Sequence, residues 1–349
     1  MTRPVGWAVV GGGWVARDHF APALAASAGD RAVVVCDVDP AAARRTAAAL
    51  PGARWTTDVD DAVTDAAVQA VYVATPNHAH RAPVVAAARA GRAVLCEKPL
   101  AATLGDAAAI VAACDGVLAG SAFDQRWHPA HTALAALVRA GALGPVTAVR
   151  IAYGCWLPPS WTPPGATVPD NWRADPLRAG GGAYVDLAPH GLDLVGALLG
   201  EDVERATAVL QRRVHDYAVD DGAVLVGTTG GGALVSLHVS YNTRDALPRR
   251  RLEVVGTRAQ AVAVDTMGQT AGGALTLLDG ATGAAQPVAF DTARSPFAAQ
   301  LAAFSAAVAG ERAWPYPLER DLALLTLLHD AAGLVPPGEH PLEALEEPA

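Results

Sequence analysis

Short uninterrupted apolar runs at residues 7–10, 32–36, 70–74, 93–96 and 117–119 alternate with alanine-rich stretches at 40–50, 79–90 and 104–113. Runs of this kind, bounded by turns and separated by helices, belong to strands buried on both faces of a parallel sheet. The first third of the chain therefore reads as a doubly wound β-α-β domain. Helix punctuation agrees: Pro40 fits a first helical position behind Asp39, Pro83 a first turn, and Gly91 the residue that ends a helix.

Beyond residue 123 the pattern changes to successive strand candidates at 146–153, 204–211, 223–228, 233–241, 251–256, 261–265 and 274–278, several with period-two alternation. Strands that follow one another without helices favour a largely antiparallel sheet. One face of it needs cover, which the amphipathic stretches 129–140, 185–199, 296–309 and 318–332 can supply in part. An apolar face left open predicts self-association. Between residues 156 and 182 a segment rich in proline, tryptophan and glycine reads as an ordered loop over the active crevice. The expected divisions are a cofactor domain over 1–122, a substrate and oligomerisation domain over 123–335, and a tail over 336–349.

Composition narrows the function. At 349 residues the chain suits two cores rather than one. No stretch approaches the ~20 apolar residues of a membrane span, and strand residues begin too early for a secretory leader. The expectation is a cytoplasmic protein. The net charge of −9, with no basic block longer than Arg249-Arg250-Arg251, gives nucleic acid no positive stripe to bind. Cys36, Cys96, Cys114 and Cys155 are scattered without C-x-x-C spacing, so neither a disulfide framework nor a metal site is expected. Small molecules remain as partners.

The apolar run at 7–10 leads into Val-Val-Gly-Gly-Gly-Trp-Val-Ala at 9–16, with Gly11, Gly13 and Ala16 on the G-x-G-x-x-G/A spacing. The first glycine makes the tight turn, the second lets backbone approach a pyrophosphate, and the third, small residue lets helix pack on strand. Trp14 and Val15 complete the turn. Asp37, at the end of the second run, is placed to accept hydrogen bonds from a ribose 2′-hydroxyl and to repel a 2′-phosphate, which favours NAD(H). Arg44 and Arg45 keep NADP(H) open. Thr75, Pro76 and Asn77 follow the 70–74 run at the same sheet edge, near where ribose and nicotinamide pass. His78 and His80 lack carboxylate or cysteine at ligand spacing, so they read as helix-start or cofactor contacts rather than zinc ligands. Glu97 and Lys98 end the 93–96 run, beyond which ligands bind in open parallel sheets.

Downstream, Asp186 and His190 stand four apart and share a helical face, with Asp193 three further on. Pro189 reads as an early-turn proline. Oxidising a secondary alcohol needs a group to take the hydroxyl proton as hydride leaves carbon, and histidine titrates near neutrality. His190 is the candidate acid/base, Asp186 its orienting carboxylate, and Lys98 the cation that polarises the substrate oxygen. Tyr153, Trp156, Asn242 and Arg244 are candidates for holding a polyol.

In combination, the glycine turn at 11–16, Ala-Thr-Pro-Asn-His-Ala-His at 74–80, Cys-Glu-Lys-Pro-Leu-Ala at 96–101, Asn-Trp-Arg at 171–173 and Gly-Gly-Gly-Ala-Tyr-Val-Asp-Leu-Ala-Pro-His-Gly-Leu-Asp at 180–193 resemble the Gfo/Idh/MocA oxidoreductases. The likeness spans roughly residues 5–335. It implies an α/β protein: an N-terminal Rossmann domain, then an α+β domain with a large open, mainly antiparallel sheet through which dimers or tetramers assemble. It implies catalysis by Lys98, Asp186 and His190, with Trp172 and Arg173 near the nicotinamide, and cyclitol or sugar-like substrates. The family also holds NAD-dependent glycosidases and non-catalytic dinucleotide-binding regulators, which stand as alternatives. Ala188 and Pro189 depart from the family pattern, which often has glycine two residues after the aspartate and a non-proline before the histidine.

Overall fold

The computed structural model describes residues 4–164 and 171–334; the expected tail, and residues 165–170 of the expected loop, lie outside them. Two compact units emerge. Among the described residues, one holds 4–122 together with Phe297–Ala323, and the other holds most of what lies between, plus 324–334.

The first unit is built on six parallel strands, β1 (Val5–Val10), β2 (Asp30–Cys36), β3 (Arg54–Thr56), β4 (Ala70–Val73), β5 (Ala93–Cys96) and β6 (Ala119–Ser121). Their order is β3-β2-β1-β4-β5-β6, so the strand order reverses beside β1. Every residue of β1, β4 and β5 is buried, which explains why these strands read as unbroken apolar runs. Helix ends follow the sequence signals. The Asp39 carboxylate accepts the Ala41 N–H ahead of Pro40 in the helix Pro40–Ala48, and Gly91, at φ +67°, follows the helix Arg81–Arg89.

The helix Pro296–Val308, expected to cover the antiparallel sheet, instead places Phe297, Leu301 and Phe304 in the core of the first unit with Trp7, Phe20 and Tyr72. Trp7 meets Phe20 and Phe304 at ring distances of 5.4 and 5.8 Å. A sheet buried on both faces needs helices on both, and this late segment provides part of one layer.

The second unit carries an eight-stranded sheet: β7 (Val146–Gly154), β8 (Val203–Gln211), β9 (Gly222–Thr229), β10 (Leu234–Ser240), β11 (Arg250–Gly256), β12 (Ala259–Val264), β13 (Ala274–Asp279) and β14 (Ala285–Pro287). Their order is β14-β13-β12-β11-β7-β10-β9-β8, with β7 and β10 paired in parallel and the other neighbours antiparallel. The helix Ala183–Leu199 packs on one face, so closely that a Cβ on Gly191 would stand 2.9 Å from Leu237. On the other face Val209, Val224, Val226 and Leu234 remain exposed. Among the described residues, no helix is long and apolar enough to cross a membrane.

Candidate functional site

In the first unit the glycine turn is shaped by close approaches. Gly11 has φ +97°, donates its N–H to the Cys36 carbonyl at 2.8 Å, and leaves no room for a side chain: a Cβ would lie 2.6 Å from the Ala74 carbonyl. At Gly13, by contrast, a Cβ would meet nothing within 4 Å. That open space lies where a pyrophosphate would rest, ahead of a helix whose Arg17 N–H is bound by the Gly13 carbonyl at 2.9 Å. Trp14 is half-buried, Val15 packs on the core, and Ala16 is fully buried, so Ala16 serves helix packing and offers no surface to a ligand.

Asp37 is joined directly to this turn. Its carboxylate accepts the Gly12 N–H at 2.7 Å and the Asp39 N–H at 2.8 Å, which leaves acceptor capacity for a ribose diol. Arg44 lies 4.3 Å over the Trp55 ring, and Arg45 stands 3.8 Å from Asp39. Thr75, against the glycine turn, has a buried hydroxyl oxygen with no hydrogen-bond partner, the kind of atom a dinucleotide would satisfy. The open cradle, the carboxylate and the orphaned hydroxyl fit a dinucleotide.

Around these residues the sheet edge is tightly tied. Pro76 precedes a short turn, Asn77–Ala79, in which Asn77 is buried. His80, expected as a cofactor contact, is fully buried instead, with Nε2 2.9 Å from the Thr75 carbonyl and Nδ1 3.2 Å from the Leu100 carbonyl. Burial outweighs these backbone bonds and pushes its pKa down to about 4, so the ring is a neutral clamp that places Thr75. The Tyr72 hydroxyl donates to Glu97 at 2.5 Å, and Phe20 stacks on Tyr72 at 3.7 Å. Glu97 also accepts the Lys98 N–H at 3.3 Å, so half-buried Lys98 leaves β5 from a fixed anchor.

In the second unit the catalytic candidates ride on the helix Ala183–Leu199. Asp220 caps its start, its carboxylate accepting the Gly182 and Tyr184 N–H groups at 2.9 and 2.7 Å. Pro189, expected in an early turn, lies well inside the helix. It cannot donate to the Val185 carbonyl, a loss that packing on the sheet tolerates.

One turn above Asp186, His190 is 2% exposed, its Nδ1 standing 3.8 Å from Asp124 Oδ1. The rings of Phe123 and Tyr153 meet it edge-on, at 5.9 and 5.8 Å. Asp186 accepts the Tyr241 hydroxyl at 2.7 Å and lies 3.7 Å from the Arg173 guanidinium. Burial pushes the hydroxyls of Tyr153 and Tyr241 upward, and with them the Cys155 thiol to about 12, so all three stay protonated. Asp193 pairs with Arg126 at 3.3 Å, both side chains almost wholly buried.

The remaining candidates divide. Arg173 lies 4.4 Å over Trp172, which ties the Trp-Arg pair to Asp186. Arg244 is exposed and stacks 3.5 Å over Trp156, whose other neighbours are the His215 ring at 4.6 Å and a strand bridge to Asn242. Asn242 donates to Asp221 at 3.2 Å. Burial raises the Asp221 carboxyl, but the N–H groups of His215, Val214 and Arg213, with Asn242, outweigh it and hold the carboxyl below its usual range. Asn242 thus braces a loop. Sequence reasoning missed Asp124, Arg126 and Tyr241; the run Phe-Asp-Gln-Arg-Trp-His-Pro straight after the 117–119 run was the available signal for the first two. Among the described residues, no group of His, Cys, Asp or Glu can hold a metal ion.

Comparison with known proteins gives the family of the chain. Residues 5–117 match the family model described as an oxidoreductase family with an NAD-binding Rossmann fold, and residues 131–262 match the GFO/IDH/MocA C-terminal domain. The chain is 32% identical to the 1,5-anhydro-D-fructose reductase of Ensifer adhaerens over 313 residues, 87% of this chain and 88% of that one. It is 32% identical over 250 residues to inositol 2-dehydrogenase 1 of Saccharopolyspora erythraea, 70% of this chain and 69% of that one. The crystal structure of the aldose-aldose oxidoreductase from Caulobacter crescentus, complexed with glycerol, superposes with a TM-score of 0.82 at 26% identity, covering 95% of this chain and 98% of that one. These relatives support the redox reading, and nothing in them supports the glycosidase alternative. With both halves matched in order along one chain, this protein is a member of the GFO/IDH/MocA oxidoreductase family, with an NAD-binding Rossmann domain at its front.

Proposed function

We propose that the protein is a dehydrogenase or reductase that interconverts a secondary alcohol and a ketone on a sugar, a sugar derivative or a cyclitol, using NAD(H) in preference to NADP(H). The observation that carries the reading is His190, a buried imidazole set between an acid and two aromatic rings on the helix that also bears Asp186. The relatives named above are a reductase of an anhydro-sugar and a dehydrogenase of inositol, both ring compounds rich in hydroxyls.

Gly11, Gly13, Trp14, Val15, Asp37, Thr75, Pro76, Asn77 and Glu97 would form or support the dinucleotide site, with Trp172 and Arg173 toward the nicotinamide. When bound, the nicotinamide accepts or donates hydride at C4. In the oxidising direction His190 takes the hydroxyl proton, and in the reducing direction it returns one. The Lys98 ammonium draws the substrate oxygen into position and offsets its developing negative charge. Asp186, steadied by Tyr241 and Arg173, holds a neighbouring hydroxyl. Tyr153 and Trp156 supply flat faces to a polyol, and Arg244 its outer rim. Residues 1–122 carry the cofactor role, with the late helix at 297–308 completing their core, and the rest of 123–335 carries the substrate role.

The exposed valines and Leu234 on the outer face of the second sheet support a homodimer or homotetramer built on that face. The four unpaired cysteines suit a reducing compartment, and the cytoplasm is our assignment. A panel of sugars and cyclitols, followed by NADH absorbance with the unmodified protein and Lys98→Ala, tests the reading. A productive substrate is expected to lose at least about 10²-fold in kcat/KM in the variant. Equal rates would remove Lys98 from the mechanism.

A further inference from the structure

The segment that follows β6 holds an acid outside every motif of the family resemblance. Asp124 Oδ1 stands 3.8 Å from His190 Nδ1, with the two side chains 4% and 2% exposed. The turn Asp124–Trp127 is fixed against the helix Ala183–Leu199 at a second point, the buried Arg126–Asp193 pair at 3.3 Å. Asp193 lies three residues after His190, so the two acid–base contacts sit about one helical turn apart and hold turn and helix in register. Phe123, just before Asp124, presses edge-on against the same imidazole and carries the Arg126 guanidinium 5.2 Å over its ring.

Asp186, the acid expected to orient His190, is engaged elsewhere: Oδ2 takes the Tyr241 hydroxyl at 2.7 Å and faces Arg173 Nε at 3.7 Å. Two carboxylates thus stand near one histidine in different environments. One pairs with a cation and accepts from a phenol, and the other faces the imidazole nitrogen.

We propose that Asp124 is a positioning residue for His190, accepting from Nδ1–H so that Nε2 is the nitrogen that exchanges a proton with the substrate. The assignment rests on the oxidoreductase reading and deepens it. In the oxidising direction the substrate O–H bond breaks and its proton passes to Nε2, while the C–H electron pair leaves as hydride to the nicotinamide. The imidazolium so formed keeps its Nδ1–H toward Asp124, whose negative charge steadies it. In reduction the same proton returns from Nε2 to the new alkoxide. The separation of 3.8 Å is longer than a made hydrogen bond of about 2.7–3.2 Å and within the looser range of catalytic contacts before substrate binds. Asp186 then serves as an acceptor for a substrate hydroxyl rather than as the partner of the imidazole.

Among the described residues, the charged and titratable groups that face His190 include Asp124 on the preceding turn, Tyr153 on β7 with Arg250 5.9 Å from its ring, and Asp186 and Asp193 on its own helix. Arg126 is paired with Asp193, and Tyr241 and Arg173 with Asp186.

The test reads the imidazole directly, by nitrogen-15 NMR of the histidine rings of the full chain, with His190 assigned through His190→Asn. The unmodified protein is expected to show His190 as the Nδ1–H tautomer when neutral, and Asp124→Asn to titrate about one pH unit lower. Asp124→Asn is also expected to lose about 10- to 100-fold in kcat, with KM changed less than threefold, and to move the acidic limb of the kcat profile down by the same amount. Asp124→Glu should restore part of both. An Nε2–H tautomer in the unmodified protein, or a His190 midpoint that Asp124→Asn leaves in place, would overturn the proposal. The tautomer is read without any variant, so a poorly folding substitution does not rescue it. If no polyol is turned over while tautomer and midpoint behave as stated, the oxidoreductase reading fails, and what survives is the Asp124–His190 pairing without its catalytic use.

Discussion

Replacing Asp37 with alanine should turn the cofactor preference away from NAD(H). The carboxylate already accepts two N–H groups, at 2.7 and 2.8 Å, and a ribose diol would use its remaining lone pairs. A hydrogen bond to a charged acceptor contributes about 1.5–3 kcal/mol, so NAD should lose about 10- to 150-fold in kcat/KM. For NADP the same change removes a repulsion. Two unit charges about 4 Å apart interact by about 4 kcal/mol at an effective dielectric near 20, and solvent at this half-buried site reduces that to about 1–2 kcal/mol. Together these predict a swing of about 10²- to 10³-fold in the NAD-to-NADP ratio of kcat/KM. Losing the bonds to Gly12 and Asp39 loosens the turn for both cofactors alike, so the ratio isolates the ribose contact. The assay is initial rates with each cofactor on one polyol substrate, for the unmodified protein and Asp37→Ala. A ratio unchanged within threefold would refute the role given to Asp37.

Gly11→Ala should cost about 2–5 kcal/mol of stability, because the residue sits at φ +97° and its Cβ would strike the Ala74 backbone. Gly13→Ala, which opens into free space, should leave the melting temperature within about 1 °C while weakening NADH binding, and equal melting losses would count against the cradle. Breaking the Arg126–Asp193 pair with Arg126→Met should destabilise by about 3–5 kcal/mol, and adding Asp193→Leu should recover most of it in chemical denaturation. Purely additive losses would show that the pair is not coupled. His80, His128 and His131 are held neutral by burial, pushed down to about 4, about 4 and about 3, whereas the unfolded chain takes up their protons near pH 6.5. Stability should therefore be full above pH 6.5 and fall progressively toward pH 4, with His80 alone contributing about 3 kcal/mol of the loss. Melts that stay level between about pH 7 and about pH 4.5 would contradict this.

The first unit was legible because parallel strands covered on both faces must be apolar throughout, as β1, β4 and β5 are. β3 and β14 escaped notice, being three-residue edge strands with polar or exposed positions. β6 was placed two residues early because Gly120 and Ser121 carry no apolar side chain. Gly120 is required by distant chain: a Cβ there would lie 2.3 Å from the Trp314 indole nitrogen. The site divides in the same way. The Asp186–His190 spacing on one helix is a local signal, and so is the glycine turn. Asp124 and Tyr241 reach His190 and Asp186 from other elements, and His80 revealed its structural role only once both ring nitrogens were seen against carbonyls.

Phe297, Leu301 and Phe304 complete a core whose other members come from the first third of the chain. During synthesis the opening sheet would emerge from the ribosome long before these side chains exist, with Trp7 and Phe20 unshielded for the time it takes to make roughly 200 further residues, about 10–40 s. A fragment ending at Ala122 would carry the same wound. Shielding by a chaperone, or slow maturation that waits on the late helix, is the cost of sewing the first-made layer shut with the last thread.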